Sequence, residues 1–552
     1  MMVPGAEAVG VDIESAAVSA RVAAFVLAEP ERRTLLGLGR RVHGAGSVHR
    51  EGSGLQGPEQ HGKTRRLTFW RIGLRRSGDP VGRLVPRRAG VGMGSLRGGS
   101  VVRRGDTAVN RADTSVPHAH TQDPEDSLTA EVVEPEELMT NQIGQDRASS
   151  AARVLSHVQA RQPRLGDLRH LYEGSIAKYD GVRATFDDGH SRMVLTTYDY
   201  LGLLGDERIN EAAKEAADLF GTGCFGSRVL GGSLDLHRQL EQELAAWVGR
   251  GDAMVLSSGF VTNYSVLSAI TGPGTWVYSD ELNHASIVDG CMAAKTLGAT
   301  VRVYRHNHMA HLAELLAQAP ADATKIVVAD GVFSMDGDVF DLPGAHELCR
   351  RHDAMLVVDE AHSLGVIGAD GGGVEDHFGM PGSVDLVMGT LSKTIPSSGG
   401  FLAGSGELIS ALRFTMRGYM FSGAASPMGA AASLAALRVI QQEGAHRRSL
   451  LERNTKHLRT RLQAAGLNVA DVLGPITPLI VGDDFIALEG ARLCQERGLF
   501  VLSAIPPAVA PGTSRLRLNV TAAHSPEDVD LACDVIIAAV RTATERAEGR
   551  RP

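Results

Sequence analysis

Lysine, cysteine and long apolar runs are all scarce in this chain of 552 residues. Only seven lysines occur, and one of them, Lys63, lies in the first 138 residues. The five cysteines lie far apart, without the spacing of metal ligands or of a disulfide framework. We therefore expect no metal site and a reducing compartment, the cytoplasm. No apolar run is long enough to span a bilayer, which argues against an integral membrane segment.

The charge balance argues against one class of partner. The formal net charge is -8 at pH 7, which favours solubility and gives no electrostatic attraction to a phosphate backbone. We therefore expect no nucleic acid partner. The length is sufficient for two or three domains.

The first 138 residues differ in amino-acid composition from the rest of the chain. They are rich in Arg and Gly, and segments such as 83–104 cannot bury enough apolar surface to offset the entropy of ordering the chain. Two interpretations stay open: a disordered extension, or a native start near Met139 with the upstream part untranslated. Acidic residues recur over 123–137, which argues against a transit peptide.

Beyond residue 151, short apolar runs alternate with amphipathic stretches and glycine turns. Buried strands are predicted at 253–256, 275–278, 300–304, 325–329, 355–358 and 386–388. Helical patterns between them predict an α/β fold with a mostly parallel sheet covered on both faces. After about residue 424 the pattern predicts a smaller α+β domain. Its elements are short strands near 477–481 and 514–518 and a last helix from Pro526.

One of the few lysines stands in an unusual context. Lys393 ends the segment Gly-Thr-Leu-Ser-Lys directly after a predicted strand, and Ser-Ser-Gly-Gly follows at 397–400. Ligands of open α/β sheets collect at the carboxyl ends of strands. A lysine there, beside hydroxyl groups and glycines, suits a Schiff base next to a phosphate. The other lysines after residue 138 stand in polar contexts, where a solvated side chain is the ordinary interpretation.

A carboxylate and a histidine follow the neighbouring predicted strand. Asp359 ends an apolar run, and His362 lies three residues further on. A helix cap is the ordinary role of such an aspartate. The functional alternative is a buried partner for a cationic ring nitrogen, which such a ring requires to act as an electron sink. His362 would then bond a phenolic oxygen.

Two further turns could bind parts of a flat, phosphorylated ligand. Ser-Gly-Phe260 opens a helix after a strand, and a helix N-terminus attracts an anion; Thr390 and Ser392 could add hydroxyl groups. His284, in the segment Asn-His-Ala-Ser, could stack on a ring and steer a proton. An ordinary strand-to-helix turn and a core histidine are the alternatives.

Two arginines alternate in a late strand. Arg515 and Arg517 flank Leu516, so both side chains point to one face, and His524 follows. That face is either a salt-bridged surface or a bidentate clamp for a carboxylate.

Taken in order, these segments resemble the α-oxoamine synthase family of fold-type I pyridoxal-phosphate enzymes. The resemblance extends roughly over 195–540. The segments that carry it are Asp-Tyr-Leu-Gly at 199–202, Gly-Ser-Arg at 226–228, Ser-Gly-Phe at 258–260, Asn-His-Ala-Ser at 283–286, Phe-Ser-Met-Asp-Gly-Asp at 333–338, Asp-Glu-Ala-His-Ser at 359–363, Gly-Thr-Leu-Ser-Lys at 389–393, Phe-Ser at 421–422 and Arg-Leu-Arg-Leu at 515–518.

The resemblance implies a cofactor, a site and an organisation. Pyridoxal 5'-phosphate would be bound by Lys393, with Asp359 on the ring nitrogen, His362 on the ring oxygen and His284 stacked on the ring. The remaining cofactor-binding residues would be Gly259, Phe260, Ser334 and Thr390, with Ser422 and Gly423 reaching in from the partner subunit of a homodimer. Arg517 and Tyr198 would bind the amino acid. The implied parts are an extension over 1–138, a helical segment over 139–195, a large cofactor-binding domain over 196–424 and a small domain over 425–545.

The implied activity is decarboxylative condensation of a small amino acid (Ala, Ser or Gly) with an acyl thioester of coenzyme A or acyl carrier protein. An aminotransferase or an aldolase on the same cofactor stays open, as does a non-catalytic subunit, against which the retained Lys393, Asp359 and His362 argue. Departures such as Tyr198, where the family often has Asn, and Pro396, where Gly is usual, point to more than one branch of the family. The substrate pair and the pathway are therefore left open.

Overall fold

The computed structural model describes residues 145–160, 168 and 170–550. The predictions for residues 1–138, a disordered extension or a segment absent from the native chain, lie outside the described residues. The helix α1 (Gln145–Gln159) falls within a first unit that ends at Gln159, and the remaining elements belong to a second unit that begins at Ala160. Everything that follows concerns this second unit.

The centre of the second unit is a seven-stranded sheet in the order β4-β10-β9-β8-β7-β5-β6. Its strands are β4 (Asp252–Leu256), β5 (Thr275–Asp280), β6 (Thr300–Tyr304), β7 (Thr324–Asp330), β8 (Ala354–Asp359), β9 (Leu386–Ser392) and β10 (Pro396–Gly404). Each of the six predicted buried strands is present. The pairs among β5 to β9 are parallel, and β10 runs antiparallel to both β4 and β9. The mostly parallel α/β fold is therefore confirmed.

Helices surround this sheet and continue into the small domain. They are α2 (His170–Glu173), α3 (Glu207–Phe220), α4 (Asp235–Trp247), α5 (Gly259–Ala269), α6 (Ala285–Thr296), α7 (Met309–Leu316), α8 (Leu342–His352), α9 (Val374–Phe378), α10 (Gly406–Leu412), α11 (Arg417–Met420), α12 (Pro427–Ala464), α13 (Asp484–Glu496) and α14 (Pro526–Glu548). Over the described ranges, none of them combines the length and apolar character that a bilayer-spanning helix requires.

Two smaller sheets complete the second unit. One has the order β1-β2-β3-β12 and the other β11-β14-β13. Their strands are β1 (Ile176–Asp180), β2 (Arg183–Phe186), β3 (Ser191–Val194), β11 (Ile476–Gly482), β12 (Leu499–Phe500), β13 (Ser503–Ala504) and β14 (Ser514–Asn519). The strands near 477–481 and 514–518 and the helix from Pro526 are confirmed. Within the described part of 139–195, helices cover 145–159 and 170–173, whereas the residues after 175 pair as the strands β1 to β3, so the prediction of a helical segment is wrong there.

The side chains of the central strands alternate between two apolar layers, as the period of a strand requires. In β7, Val327 and Ala329 enter one buried cluster, while Ile326 and Val328 enter the cluster on the opposite face. Both faces of the sheet are therefore covered, and its strands read as continuous apolar runs. Polar side chains that could bind a ligand are therefore expected at the ends of the strands.

The carboxyl ends of β7 and β8 lie side by side. Asp330 is the register partner of Asp359, and β9 continues to Lys393 on the next strand. Three strand-end residues that are far apart in sequence thus meet at one edge. The functional site is expected at this edge.

Candidate active site

Lys393 lies directly after β9, and its side chain is largely buried. Its Nζ atom is 2.8 Å from His362 Nε2. Burial lowers the pKa of this amine to about 8, and the positive charge of Arg517 adds to that effect, whereas Asp359 and Asp330 oppose it. A lysine with such a pKa is partly neutral near physiological pH, and only the neutral amine is a nucleophile or a base.

His362 connects Lys393 to a tyrosine that the sequence analysis left without a role. The hydroxyl of Tyr200 lies 2.7 Å from His362 Nδ1. Burial lowers the pKa of His362 well below its usual range, and the nearby cations Lys393 and Arg517 lower it further. Burial also raises the pKa of Tyr200 to about 12. The imidazole is therefore neutral and the phenol keeps its proton, so the pair can direct one hydrogen bond into the site.

Asp359 ends β8 with both carboxylate oxygens engaged. One oxygen accepts from the backbone N–H of Ala361 at 2.9 Å, and the other accepts from Asn263 Nδ2 at 2.6 Å. The side chain is 5% exposed. A carboxylate that is fixed by two N–H donors in a buried space is oriented to meet a cation such as a protonated ring nitrogen.

His284 is the N-cap residue of α6. Its Nδ1 accepts from the backbone N–H of Ser286 at 3.2 Å, and its own backbone N–H donates to Asp330 Oδ2 at 3.1 Å. Burial lowers the pKa of this imidazole, and Lys393 adds to that effect, while Asp359 opposes it. The ring of Phe260 meets the ring of His284 edge to face at 6.5 Å.

The start of α5 approaches the backbone of β10 so closely that glycine is required. A Cβ atom on Gly400 would lie 2.6 Å from the backbone nitrogen of Gly259, and one on Gly259 would lie 3.2 Å from Thr390 Oγ1. Ser258 caps the helix by accepting from Val261 N. The next backbone N–H groups at this N-terminus lie beside the Thr390 hydroxyl, which is the donor set of a phosphate site.

The loop that carries Ser422 and Gly423 lies near the same turn. Ser422 Oγ is 3.3 Å from Ser257 Oγ of the same chain, and Gly423 is exposed. The prediction that these two residues reach the site of a partner subunit stays a prediction.

Both arginines of β14 hold the turn at residues 333–338. Arg517 Nε donates to the carbonyl oxygen of Ser334 at 2.6 Å, and Arg515 Nη1 donates to Asp336 Oδ1 at 2.6 Å. Arg517 Nη2 is buried and has no partner. Arg515 is therefore committed to an ion pair, whereas Arg517 keeps the NH2 group at Nη2 for a further acceptor.

Tyr198 stands between the two cations of the site. Its ring centroid is 5.4 Å from Lys393 Nζ and 5.3 Å from the guanidinium carbon of Arg517, and the ring meets His362 edge to face at 5.7 Å. The side chain is 47% exposed, which is unusual for a tyrosine in a buried cluster.

These groups fit pyridoxal phosphate on three counts. The glycine contact between α5 and β10 leaves backbone donors for a phosphate, Asp359 lies ready for a cation, and the buried Nη2 of Arg517 lacks a partner. The structure brings Lys393, His362, Tyr198 and Arg517 into contact. Asp359 and His284 lie within electrostatic range of Lys393, and Thr390 lies beside Gly259 at the start of α5. Sequence reasoning missed Tyr200, Asn263 and Asp330 as contacts of these residues. A second aspartate at a parallel strand end could have indicated Asp330.

The comparisons with known proteins agree with this geometry. The profile of the family described as aminotransferase class I and II matches residues 191–536. The chain therefore belongs to this family of fold-type I enzymes, and pyridoxal 5'-phosphate is its cofactor.

Curated relatives narrow the class further. A serine palmitoyltransferase from Bacteroides ovatus is 40% identical over 354 residues, which cover 64% of this chain and 89% of the relative. An 8-amino-7-oxononanoate synthase from Anaeromyxobacter sp. (strain K) is 43% identical over 346 residues, 62% of this chain and 85% of the relative. Both names denote α-oxoamine synthases, and the chain is an enzyme of that acyltransferase class.

Solved structures agree with the fold as well. A serine palmitoyltransferase from Sphingomonas wittichii superposes with a TM-score of 0.66 at 31% identity, covering 72% of this chain and 98% of the other. A serine palmitoyltransferase with pyridoxal phosphate gives a TM-score of 0.66 at 30% identity, with the same coverage of both chains.

Proposed function

We propose that this chain condenses a small amino acid (alanine, serine or glycine) with an acyl thioester to give an α-amino ketone, at the site around Lys393. In this reaction the α-carbon loses a proton and attacks the thioester carbonyl, and the C–S bond breaks and releases the thiol. The amino-acid carboxylate then leaves as CO2, and the α-carbon takes up a proton in its place. The observation that carries the proposal is a cluster in which a largely buried amine lies within electrostatic range of a fixed carboxylate and of a guanidinium whose Nη2 group has no partner.

The residues around the proposed cofactor position would hold it in one orientation. Lys393 would attach it covalently, Asp359 would face the ring nitrogen, His362 would bond the ring oxygen and His284 would cover one face of the ring. Gly259, Phe260 and Thr390 would bind the phosphate, and Ser334 would line the site beside the ring. When bound, pyridoxal phosphate supplies an electron sink for the pair left on the α-carbon.

Lys393 is the proposed base. Because burial lowers the pKa of its amine to about 8, Nζ can take a proton at neutral pH and return it at a later step. His362 stays neutral beside it, so the imidazole does not compete for that proton.

Arg517 is the proposed binding group for the amino-acid carboxylate. The Nη2 atom is buried without a partner, while Nε is fixed on the carbonyl of Ser334. Tyr198, in contact with both Lys393 and Arg517, would close the site around the substrate. Arg515 is occupied by Asp336 and would not bind the substrate.

We also propose a homodimer. The segment 219–230 exposes five large apolar side chains, and three of them are mostly exposed: Leu219 at 75%, Phe225 at 99% and Leu230 at 77%. Exposed apolar surface of this kind marks an interface. The backbone N–H of Ala424 bonds to Gly226 O, so this segment is continuous with the loop that carries Ser422 and Gly423. A partner seated there would lie at the edge of the site, as the proposed sharing of Ser422 and Gly423 requires.

The dimer can be tested by a single surface substitution. Because Phe225 is almost fully exposed in this chain, Phe225→Asp should fold normally but sediment as a monomer and lose activity. Phe378→Asp, on a different surface, is the matched control and should stay dimeric. A wild-type protein that sediments as a monomer would refute the proposal.

Two further parts of the proposal concern organisation and location. We propose a large cofactor-binding domain over 196–424 and a small domain over 425–545, with the long helix α12 beginning the small domain. We place the protein in the cytoplasm, because all five cysteines are free thiols.

The substrate pair is best determined by a matrix of alanine, serine and glycine against acyl-coenzyme A and acyl carrier protein thioesters of increasing chain length. Thiol release and a ketone product with the mass of both substrates minus CO2 and thiol would support the proposal. An oxoacid or aldehyde product without thiol release would instead indicate transamination or aldol cleavage. Lys393→Ala is the control for background chemistry.

A further inference from the structure

Two buried side chains, Ser286 and Asn263, connect His284 to Asp359. Ser286 Oγ lies 2.7 Å from His284 Nδ1, and Asn263 Nδ2 lies 3.0 Å from Ser286 Oγ. The same Asn263 Nδ2 lies 2.6 Å from Asp359 Oδ2. Ser286 is 0% and Asn263 2% exposed, so water does not compete for these bonds.

The direction of each hydrogen bond in this chain follows from counting hydrogens. An ionised carboxylate only accepts, so Asn263 must turn its NH2 group towards Asp359. The second hydrogen of that NH2 group points to Ser286 Oγ, which therefore accepts. The single hydroxyl hydrogen of Ser286 is then left for His284 Nδ1. The backbone N–H of Ser286 also donates to Nδ1, at 3.2 Å.

We propose that Asn263 and Ser286 form a positioning relay that fixes His284 as the neutral tautomer with its proton on Nε2, and that couples this tautomer to the carboxylate of Asp359. Two donors on Nδ1 leave no place for a proton there. Protonating the ring would require the Ser286 hydroxyl to reverse and its backbone N–H to lose an acceptor. The relay rests on the proposed function only for the placement of His284 over the cofactor ring.

The relay changes the chemistry assigned to His284. When Nδ1 already accepts two hydrogen bonds and Nε2 carries the proton, the His284 ring cannot take up a second proton without breaking these hydrogen bonds. It can donate one hydrogen bond from Nε2 to an oxygen that carries negative charge during the reaction. His284 is then a hydrogen-bond donor, and proton transfer falls to Lys393. This narrows the expectation from the sequence, in which His284 could also steer a proton.

The charged groups around His284 come from three strands. Asp359, at the end of β8, favours the protonated ring, whereas Lys393, after β9, disfavours it. Asp330, at the end of β7, binds the backbone N–H of His284 rather than its ring. The imidazole of His362 also lies within electrostatic range. Burial outweighs Asp359, and the pKa of His284 is lowered.

The first test reads the tautomer directly and needs no activity. Solid-state 15N spectra of protein with ring-labelled histidine, compared with the spectrum of His284→Gln, isolate the His284 signals. We expect an unprotonated Nδ1 and a protonated Nε2 between pH 6 and 8. A proton on Nδ1, or a doubly protonated ring, in the wild-type protein would overturn the relay.

The second test removes one hydroxyl at a time. In Ser286→Ala, kcat/KM for the amino acid should fall roughly tenfold, in the range usual for groups that orient a catalytic residue. The acid side of the pH profile should move to higher pH, because protonation of His284 is less opposed. Ser286→Thr keeps a hydroxyl and should restore the wild-type profile. Ser268→Ala is the matched control, since Ser268 Oγ bonds only to a backbone carbonyl.

The two tests separate the relay from the proposed function. A protein without acyltransferase activity but with the expected tautomer would refute the function and leave the relay intact. An active enzyme whose Ser286→Ala variant keeps the wild-type tautomer and pH profile would refute the relay alone. Asn263→Leu serves as the second variant if Ser286→Ala does not fold, and it should shift the same two readouts.

Discussion

Two histidines of this protein have opposite charge states although both are at least half-buried. His362 touches Lys393 and Tyr200, and its pKa lies well below the usual range because burial and two nearby cations disfavour its protonated form. His306 lies between Asp280, at 3.0 Å, and Asp338, at 2.8 Å. These two carboxylates raise the pKa of His306 to about 10 against the effect of burial.

Comparing the two histidines separates the effect of burial on the pKa from the effect of neighbouring charges. Burial by itself lowers the pKa of either imidazole, so the sign of the net shift is set by which charges surround the ring. His306 is a fixed cation that holds Asp338 at one end of the turn 333–338, while Arg515 and Arg517 hold Asp336 and Ser334. His362 is a neutral group beside a reactive amine. One histidine supports the site, and the other belongs to it.

The largest effect is expected from removing the cation next to His362. Lys393→Ala should abolish the visible absorbance of lysine-bound cofactor and lower kcat by about 10²- to 10⁴-fold, the range of a lost acid–base group. The pKa of His362 should rise in the same variant. Lys295→Ala, an exposed lysine, is the control. A borohydride-reducible adduct at wild-type level in Lys393→Ala would refute the assignment of this lysine.

The second cation near His362 gives the next largest effect. Arg517→Lys should weaken amino-acid binding by about 2–5 kcal/mol, because an ammonium cannot reproduce the guanidinium geometry in a buried site. The cofactor spectrum and the affinity for the acyl thioester should change little. Spectral titration with the amino acid measures this. Arg515→Lys is the matched control with a smaller effect, and unaltered amino-acid affinity in Arg517→Lys would place the carboxylate elsewhere.

The hydrogen bond on His362 can be removed without changing any charge. Tyr200→Phe should lower kcat roughly tenfold, the scale of one buried hydrogen bond, because His362 Nδ1 loses its partner. Tyr278→Phe is the matched control, since the Tyr278 hydroxyl is buried without a partner and its loss should be neutral or stabilising. Equal kinetics for the two variants would show that Tyr200 does not position His362.

The smallest effect is expected at His306 and concerns stability. Its folded pKa, about 10, lies above the unfolded value near ~6.5, so its contribution is fully present below the unfolded pKa and is lost as pH rises through the folded one. His306→Gln should therefore cost about 1–3 kcal/mol near pH 6, and the difference in Tm from wild type should shrink towards pH 10.5. His446→Gln, at an exposed position, should show no such dependence. A Tm difference that grows with pH would contradict the charge assignment.

Much of the fold could be predicted from local pattern. Continuous apolar runs identified all six parallel strands, since strands covered on both faces are apolar throughout. The antiparallel β10 was missed because its segment Pro-Ser-Ser-Gly-Gly is polar and glycine-rich where it passes the start of α5. The strands β1 to β3 were also missed, because they are four or five residues long and β1 is exposed along its whole length.

For the site, the sequence alone determined which residues follow the strand ends: Lys393, Asp359 and His362 were identified from position and residue type. Their protonation could not be read from it. Tyr200 reaches His362 across 162 positions and Asn263 reaches Asp359 across 96, and no local pattern encodes such contacts. A pKa depends on burial and on charges within a few ångströms, so only the tertiary structure decided that His362 is neutral and His306 a cation.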